Sequence, residues 1–370
     1  MQYREFVDGI KVSALGYGCM RFETKDDAII EDKAIANLRY AIDNGVNYVD
    51  TAFGYHKGKS EVVVGKALKD GYREKVYLAD KMPVWMVEKP EDFDRLFQTQ
   101  LDRLETDHID FYLLHSLGKD TFHNKVEKFG LMEKMRQLKK SGKVKYIGFS
   151  FHDSNEVFHE IVDKFDGCDF CQIQYNYIDT DHQAGTEGLE YAASKGLKVI
   201  IMEPLLGSAL ANLDENVKAA LPTDANPVQI ALDFLWSRPE VGVVLSGMTY
   251  RAHLEDNLRY ADESRIGKLT ETDLECLVRA KAIREGNLLV PCTGCKYCMP
   301  CPGGLDIPGT FKIYNKTAPA LKLDPKPEYE ALEVKASDCL GCGACEELCP
   351  QHIKIRDMMA NCAKAFENNS

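Results

Sequence analysis

Eight cysteines late in the chain stand at intervals suited to metal. Cys339, Cys342, Cys345 and Cys349 follow the spacing Cys-x2-Cys-x2-Cys-x3-Cys with Pro350 behind, and Cys292, Cys295, Cys298 and Cys301 repeat it one residue shorter, with Pro302 behind. Three thiolates at this spacing wrap one [4Fe-4S] cubane, and in two-cluster proteins the fourth ligates the other cluster. The spacing predicts two cubanes with exchange: Cys292, Cys295, Cys298 and Cys349 on one, Cys339, Cys342, Cys345 and Cys301 on the other. A zinc ion or a single cluster is the alternative, and either needs only four thiolates. Cys362 belongs to neither run and reads as a small helical hydrophobe. Cys168 and Cys171 flank a strand start and read as core. A reducing compartment and clustered spacing argue for metal rather than disulfides.

A second constellation lies upstream. Asp50, Tyr55, Lys81 and His115 each stand at or just beyond the end of an apolar run. Together they suit proton delivery to a carbonyl. A tyrosine is a poor acid at neutral pH unless a cation stabilises the phenolate, and Lys81 can supply that charge. Asp50 would keep Lys81 protonated and oriented, and His115 would hydrogen-bond the substrate oxygen.

Runs of strand type must position these groups. There are eight: Val12–Gly18, Val46–Asp50, Val76–Ala79, Ile109–His115, Val144–Ser150, Phe170–Gln174, Lys198–Met202 and Gly242–Leu245. Helical spacing separates them, as in Ala34, Ile35, Leu38, Ala41 and Ile42 before Asn44-Gly45. Eight such units predict an α/β fold closed as a (β/α)8 TIM barrel, with functional residues at the C-terminal strand ends. An open dinucleotide-binding sheet would carry Gly-x-Gly-x-x-Gly after its first strand; here Arg21 stands where the third glycine belongs. The barrel is expected over residues 1–285 and a small cluster domain over 286–370, with a Pro-rich span from Thr317 to Pro327 inside it. Of the 370 residues 45% are hydrophobic and 28% charged, which allows a full core. No apolar stretch reaches membrane-spanning length, and no apolar leader follows Met1. A cytoplasmic location with no membrane partner is expected. A net charge of -12 argues against nucleic acid.

The phrases Val12-Ser-Ala-Leu-Gly-Tyr-Gly-Cys-Met20, Tyr48-Val-Asp-Thr-Ala-Phe-Gly-Tyr55, Ser60-Glu61 with Val64-Gly65-Lys66-Ala67-Leu68, Ile109-Asp-Phe-Tyr-Leu-Leu-His115 and Ile147-Gly-Phe-Ser150 resemble the aldo-keto reductase family. The cysteine-rich tail looks like its subgroup with a C-terminal ferredoxin-like domain. The resemblance implies reduction of a small aldehyde or ketone to an alcohol by NADPH or NADH, with Asp50, Tyr55, Lys81 and His115 as the catalytic tetrad and Tyr55 as proton donor. It also implies nucleotide contacts. Gly18 and Met20 would lie beside the cofactor, and Ser150 and Gln174 at the carboxamide. Glu203, Pro204, Leu205, Gly207 and Ser208 would meet the pyrophosphate, and Gly247, Thr249, His253, Asp256 and Asn257 the adenosine end. Arg251 is the one cation close to where a 2′-phosphate would sit, which leaves NADH and NADPH both open. Arg21, Phe22, Phe53, Trp85, Phe151 and His152 follow strand ends and are expected to line a partly apolar substrate pocket. Hydride transfer moves two electrons and a cubane one, so the clusters are structural, or feed an FMN or FAD, or serve a ferredoxin-like or flavin electron-transfer partner. The reading from another class is a nucleotide-binding redox sensor or electron carrier without carbonyl turnover.

Overall fold

A computed structural model describes residues 1–318, 321 and 323–367. Residues 319, 320 and 322 of the Pro-rich span lie outside the described residues. The strands β1 Leu15–Gly18, β2 Tyr48–Asp50, β3 Tyr77–Met82, β4 Ile109–Leu117, β5 Val144–Phe151, β6 Phe170–Gln174, β7 Lys198–Met202 and β8 Val241–Ser246 close into a barrel. Each pairs parallel with its neighbour in the chain, and β8 pairs with β1. Parallel pairing throughout puts every strand's C-terminal end on one rim.

Parallel strands need crossovers, and amphipathic helices supply them. Helix α1, Glu31–Asp43, buries Ala34, Leu38, Ala41 and Ile42 and stops before Gly45, whose φ of 95° ends a helix at no steric cost. Helices α2, Lys59–Ala67, and α3, Pro90–Leu104, approach closely at Gly65, where a Cβ would come within 2.8 Å of the Arg103 and Leu104 backbone. The far end of the barrel is apolar. Phe6, from the turn of the hairpin Tyr3–Glu5 and Lys11–Ser13, packs its ring 5.4 Å from Phe111, which also meets Tyr48, Tyr77, Tyr146 and Phe170.

Two strand boundaries differ from the sequence reading. The run Val12–Gly18 is two elements broken at Ala14, the first in the hairpin and the second in the barrel. Strand β3 continues to Met82, so Asp80 and Lys81 both lie within it. No helix among the described residues is long and apolar enough to cross a membrane.

The chain packs as two compact units, Met1–Pro204 with Val228–Thr270, and Leu205–Pro227 with the chain from Glu271 onward. Residue 285, where the cysteine and proline texture sets in, is inside the helix Glu271–Asn287 of the second unit. That unit has its own core, including Val290, Phe311, Tyr329, Ile355 and Met359, with Cys362 fully buried among them. Burial pushes the Cys362 thiol up to about 12, which keeps it protonated and apolar in character.

Candidate active site and cluster cavities

At the barrel's C-terminal rim, alternation along β3 sends Lys81 inward and Asp80 outward. Lys81 Nζ donates to Asp50 Oδ1 at 2.6 Å and to the Thr51 carbonyl at 2.7 Å, and lies 4.9 Å from the centre of the Tyr55 ring. The Tyr55 and His115 rings meet edge to face at 6.1 Å. Lys81 is fully buried and the other three are no more than 9% exposed.

Burial first, and then the Asp50 carboxylate, hold the Tyr55 phenol well above its ordinary value, so the proton stays on oxygen. Burial also raises the Asp50 carboxyl, and Lys81 partly counters it. His115 is held well below its ordinary value by burial, then by Lys81 and His152, and is therefore a neutral imidazole. Asp50 Oδ2 and His115 Nδ1 are buried with no hydrogen-bond partner among the described residues. Orphaned polar atoms of this kind at a rim are what a ligand's polar groups would complete.

The residues expected at the nucleotide fall into several environments. Ser150 Oγ accepts from the Ser116 N–H at 2.7 Å, and Gln174 donates to Asp179 at 2.6 Å. After β7 the backbone is unusual: Glu203, Leu206, Gly207 and Ser208 have φ of 55°, 49°, 60° and 79°. Left-handed non-glycine residues concentrate at ligand clamps, and successive amides turned this way form anion nests. A Cβ on Gly207 would sit 1.8 Å from the Thr293 carbonyl, inside the first cysteine run. Gly207→Ala is expected to displace that run, destabilising the protein by on the order of 3 kcal/mol. Thermal unfolding together with the iron content of the purified variant checks this.

Beyond β8, Thr249 donates to the Gly247 carbonyl and His253 packs on Tyr250. Asp256 pairs with Arg259, and the buried Asn257 donates to Ser246 Oγ at 3.0 Å. Gly18 is half-buried at the end of β1, where a Cβ would lie 3.4 Å from the Ser246 carbonyl, and Met20 follows in a short turn of helix. Arg251 lies over the Tyr40 ring at 3.9 Å and donates to Ala36, so its guanidinium is already engaged with α1.

Of the expected pocket residues, Trp85 is 45% exposed with its ring 5.1 Å from His115, and Arg21 is half-buried against Gly247. Phe22 packs on Tyr17 and His56. Phe151 is fully buried against Phe158, because alternation along β5 points it to the helix layer. Phe53 lies under the Arg103 guanidinium of α3. The sequence reading missed the Thr51 carbonyl as a holder of Lys81, and main-chain acceptors leave no residue-type signal.

In the second unit, one cavity is lined by Cys292, Cys295, Cys298 and Cys349, and another by Cys301, Cys339, Cys342 and Cys345. Each holds one cysteine from the other run. Their walls are otherwise mainly apolar, with Ile307 and Ile355 common to both. Burial and the neighbouring thiols Cys295 and Cys292 push the Cys298 thiol up to about 12. Among the described residues no three His, Cys, Asp or Glu side chains gather tightly enough for a single metal ion. Four thiols round an apolar cavity match the donor set of a cubane.

The sequence profile of the Aldo/keto reductase family matches residues 14–274, and that of the 4Fe-4S dicluster domain matches residues 291–353. Uncharacterized oxidoreductase YqkF of Bacillus subtilis (strain 168) is 26% identical over 298 residues, 72% of this chain and 92% of its own. Probable aldo-keto reductase 1 of Glycine max is 36% identical over 151 residues, 38% of this chain, and the match spans only 42% of that relative. Among solved structures, aldo-keto reductase AKR11C1 from Bacillus halodurans (holo form) superposes with a TM-score of 0.64 at 25% identity, over 76% of this chain and 96% of its own. An aldo/keto reductase from Klebsiella pneumoniae in complex with NADP and acetate gives 0.60 at 25% identity, over 75% and 94%.

Proposed function

The chain belongs to the aldo/keto reductase family, and from that premise we propose that it reduces a small aldehyde or ketone to an alcohol with hydride from NADPH or NADH. The Lys81–Asp50 pair beside Tyr55 and His115 is the observation that carries this reading. When bound, the nicotinamide supplies the hydride. Tyr55, held protonated by its burial, gives its proton to the carbonyl oxygen. Lys81 lies close enough to stabilise the phenolate left behind, and Asp50 keeps the ammonium charged. Neutral His115 donates a hydrogen bond to the same oxygen and sets its angle. Ser150 uses its oxygen lone pair on Ser116, which leaves the hydroxyl hydrogen for the nicotinamide carboxamide. The left-handed backbone at Leu206 and Ser208 is of the kind that meets a pyrophosphate. Trp85 beside His115 gives the substrate an apolar wall.

The eight cysteines around the two cavities would hold two [4Fe-4S] clusters, which supply one-electron chemistry and cross-link the second unit. A second reading, in which the clusters pass electrons to a ferredoxin-like or flavin-bearing partner, is favoured by one feature. Cys342 is exposed, and Leu340 and Leu348 in the same segment are 67% and 59% exposed. Anaerobically purified protein tests both readings. Oxidation of NAD(P)H by simple aldehydes, with about eight irons per chain and no flavin, supports the reductase. Bleaching of the cluster absorption by NAD(P)H with bound FMN or FAD, and no aldehyde turnover, overturns it in favour of the second.

A further inference from the structure

On the outward side of β3 the barrel wall hides two carboxyl groups that the proposed reaction does not use. Asp80 and Glu61 are both fully buried, and Asp80 is within hydrogen-bonding reach of Glu61 on α2. Their other partners can be traced atom by atom. Glu61 Oε2 accepts from Arg103 of α3 at 2.7 Å, while Glu61 Oε1 is buried with no donor among the described residues. Asp80 Oδ1 accepts the Lys81 N–H at 2.8 Å, and Oδ2 accepts from Gln100 Nε2 at 2.7 Å. Gln100 also donates to the Lys81 carbonyl at 3.0 Å, and its Oε1 accepts from the Tyr112 hydroxyl at 2.5 Å. The main chain of Lys81 is therefore held at both its N–H and its C=O from outside the barrel. Its Nζ is held from inside by Asp50 and Thr51.

The charges in this layer do not balance if both acids are ionised. The groups around Asp80 are Glu61 on α2, Gln100 on α3, Tyr112 on β4, Cys19 after β1, Tyr55 after β2 and Lys81 on its own strand, with Arg103 of α3 behind Glu61. Of the two cations, Arg103 is engaged by Glu61, and the Lys81 ammonium points into the barrel on Asp50. Two fully buried carboxylates within reach of each other, with the one guanidinium on the far oxygen of Glu61, would repel at high cost. One proton placed between them removes that cost and satisfies Glu61 Oε1.

We propose that Asp80 is a positioning residue: it holds a proton shared with Glu61, and this neutral acid fixes the Lys81 backbone without adding a third negative charge beside the tetrad. The direction of the Asp80 carboxyl agrees, since burial and then Glu61 push it far up. An ionised Asp80 would also make Tyr55 a weaker acid, because its charge bears on the phenol.

The inference rests on the carbonyl-reductase reading only for its turnover arm. The structural arm is an infrared spectrum of the iron-loaded full chain, with aspartate isotopically labelled at the side-chain carboxyl. At pH 8 the parent shows a protonated-carboxyl band that is absent from Asp80→Asn and, in Glu61→Gln, appears only at lower pH. In the turnover arm Glu61→Gln lowers kcat several-fold with KM unchanged, and adding Asp80→Asn restores it by replacing the freed carboxylate with a neutral amide. If the parent has no such band at pH 8, the shared proton is wrong whatever the enzyme does. If the band is present but the double variant is as slow as Glu61→Gln, the link to the tetrad is wrong.

Discussion

Tyr55→Phe is expected to lower carbonyl reduction by a factor of about 10²–10⁴, the usual worth of a positioned general acid, and to leave nucleotide affinity unchanged. The variant removes one oxygen and keeps the ring. The contacts to His115 at 6.1 Å and Lys81 at 4.9 Å survive, so the fold has no reason to change. The partition between chemistry and binding is read by titrating NADPH fluorescence alongside turnover of an aldehyde series. Turnover within a factor of two of the parent would remove Tyr55 from the mechanism. The pH dependence gives a companion measurement. The folded-state phenol is raised above its ordinary value near 10, so the proton is retained through neutral pH. Reduction by the parent is therefore expected not to fall from loss of this proton between about pH 7 and 9.

The gathering of Asp50, Tyr55, Lys81 and His115 is legible in the sequence because each stands at or just beyond the end of an apolar run, and parallel strands bring such ends to one rim. The cysteine runs are legible for a similar reason, since ligand spacing is local. The layer behind Lys81 is not. Asp80 meets Glu61 and Gln100 only because α2 and α3 approach closely at Gly65, and no spacing in the chain announces that approach. Phe151 shows a signal present but unused: Ser150 faces the barrel interior, so the next residue faces the helices. In the turn after β7, Gly207 is the one glycine among four left-handed residues, so a sequence reader sees one bend where the backbone makes four. Leu205–Pro227 packs with the second unit although nothing in its composition differs from the barrel loops around it.

The crossed cluster assignment makes a prediction that spacing alone could not separate from two independent runs. Cys349 lines the cavity of Cys292, Cys295 and Cys298, and Cys301 lines that of Cys339, Cys342 and Cys345. Cys349→Ser and Cys295→Ser therefore remove ligands from the same cluster. Each single variant, and the two combined, are expected to retain about four irons per chain. Cys349→Ser combined with Cys342→Ser is expected to lose both clusters. If each run bound its own cluster, the two double variants would exchange results, and iron and sulfide analysis of anaerobically purified protein reads the difference directly. The crossing also bears on stability. Each cluster would join segments roughly forty to fifty residues apart, Cys298 to Cys349 and Cys301 to Cys339 among them. Ligation energy in such a unit is folding energy. Loss of both clusters should therefore unfold the second unit, while the barrel, which has its own closed sheet and aromatic floor, keeps its far-ultraviolet circular dichroism. A chelator-treated protein that melts at the temperature of the loaded one would show that the small apolar core suffices without the clusters.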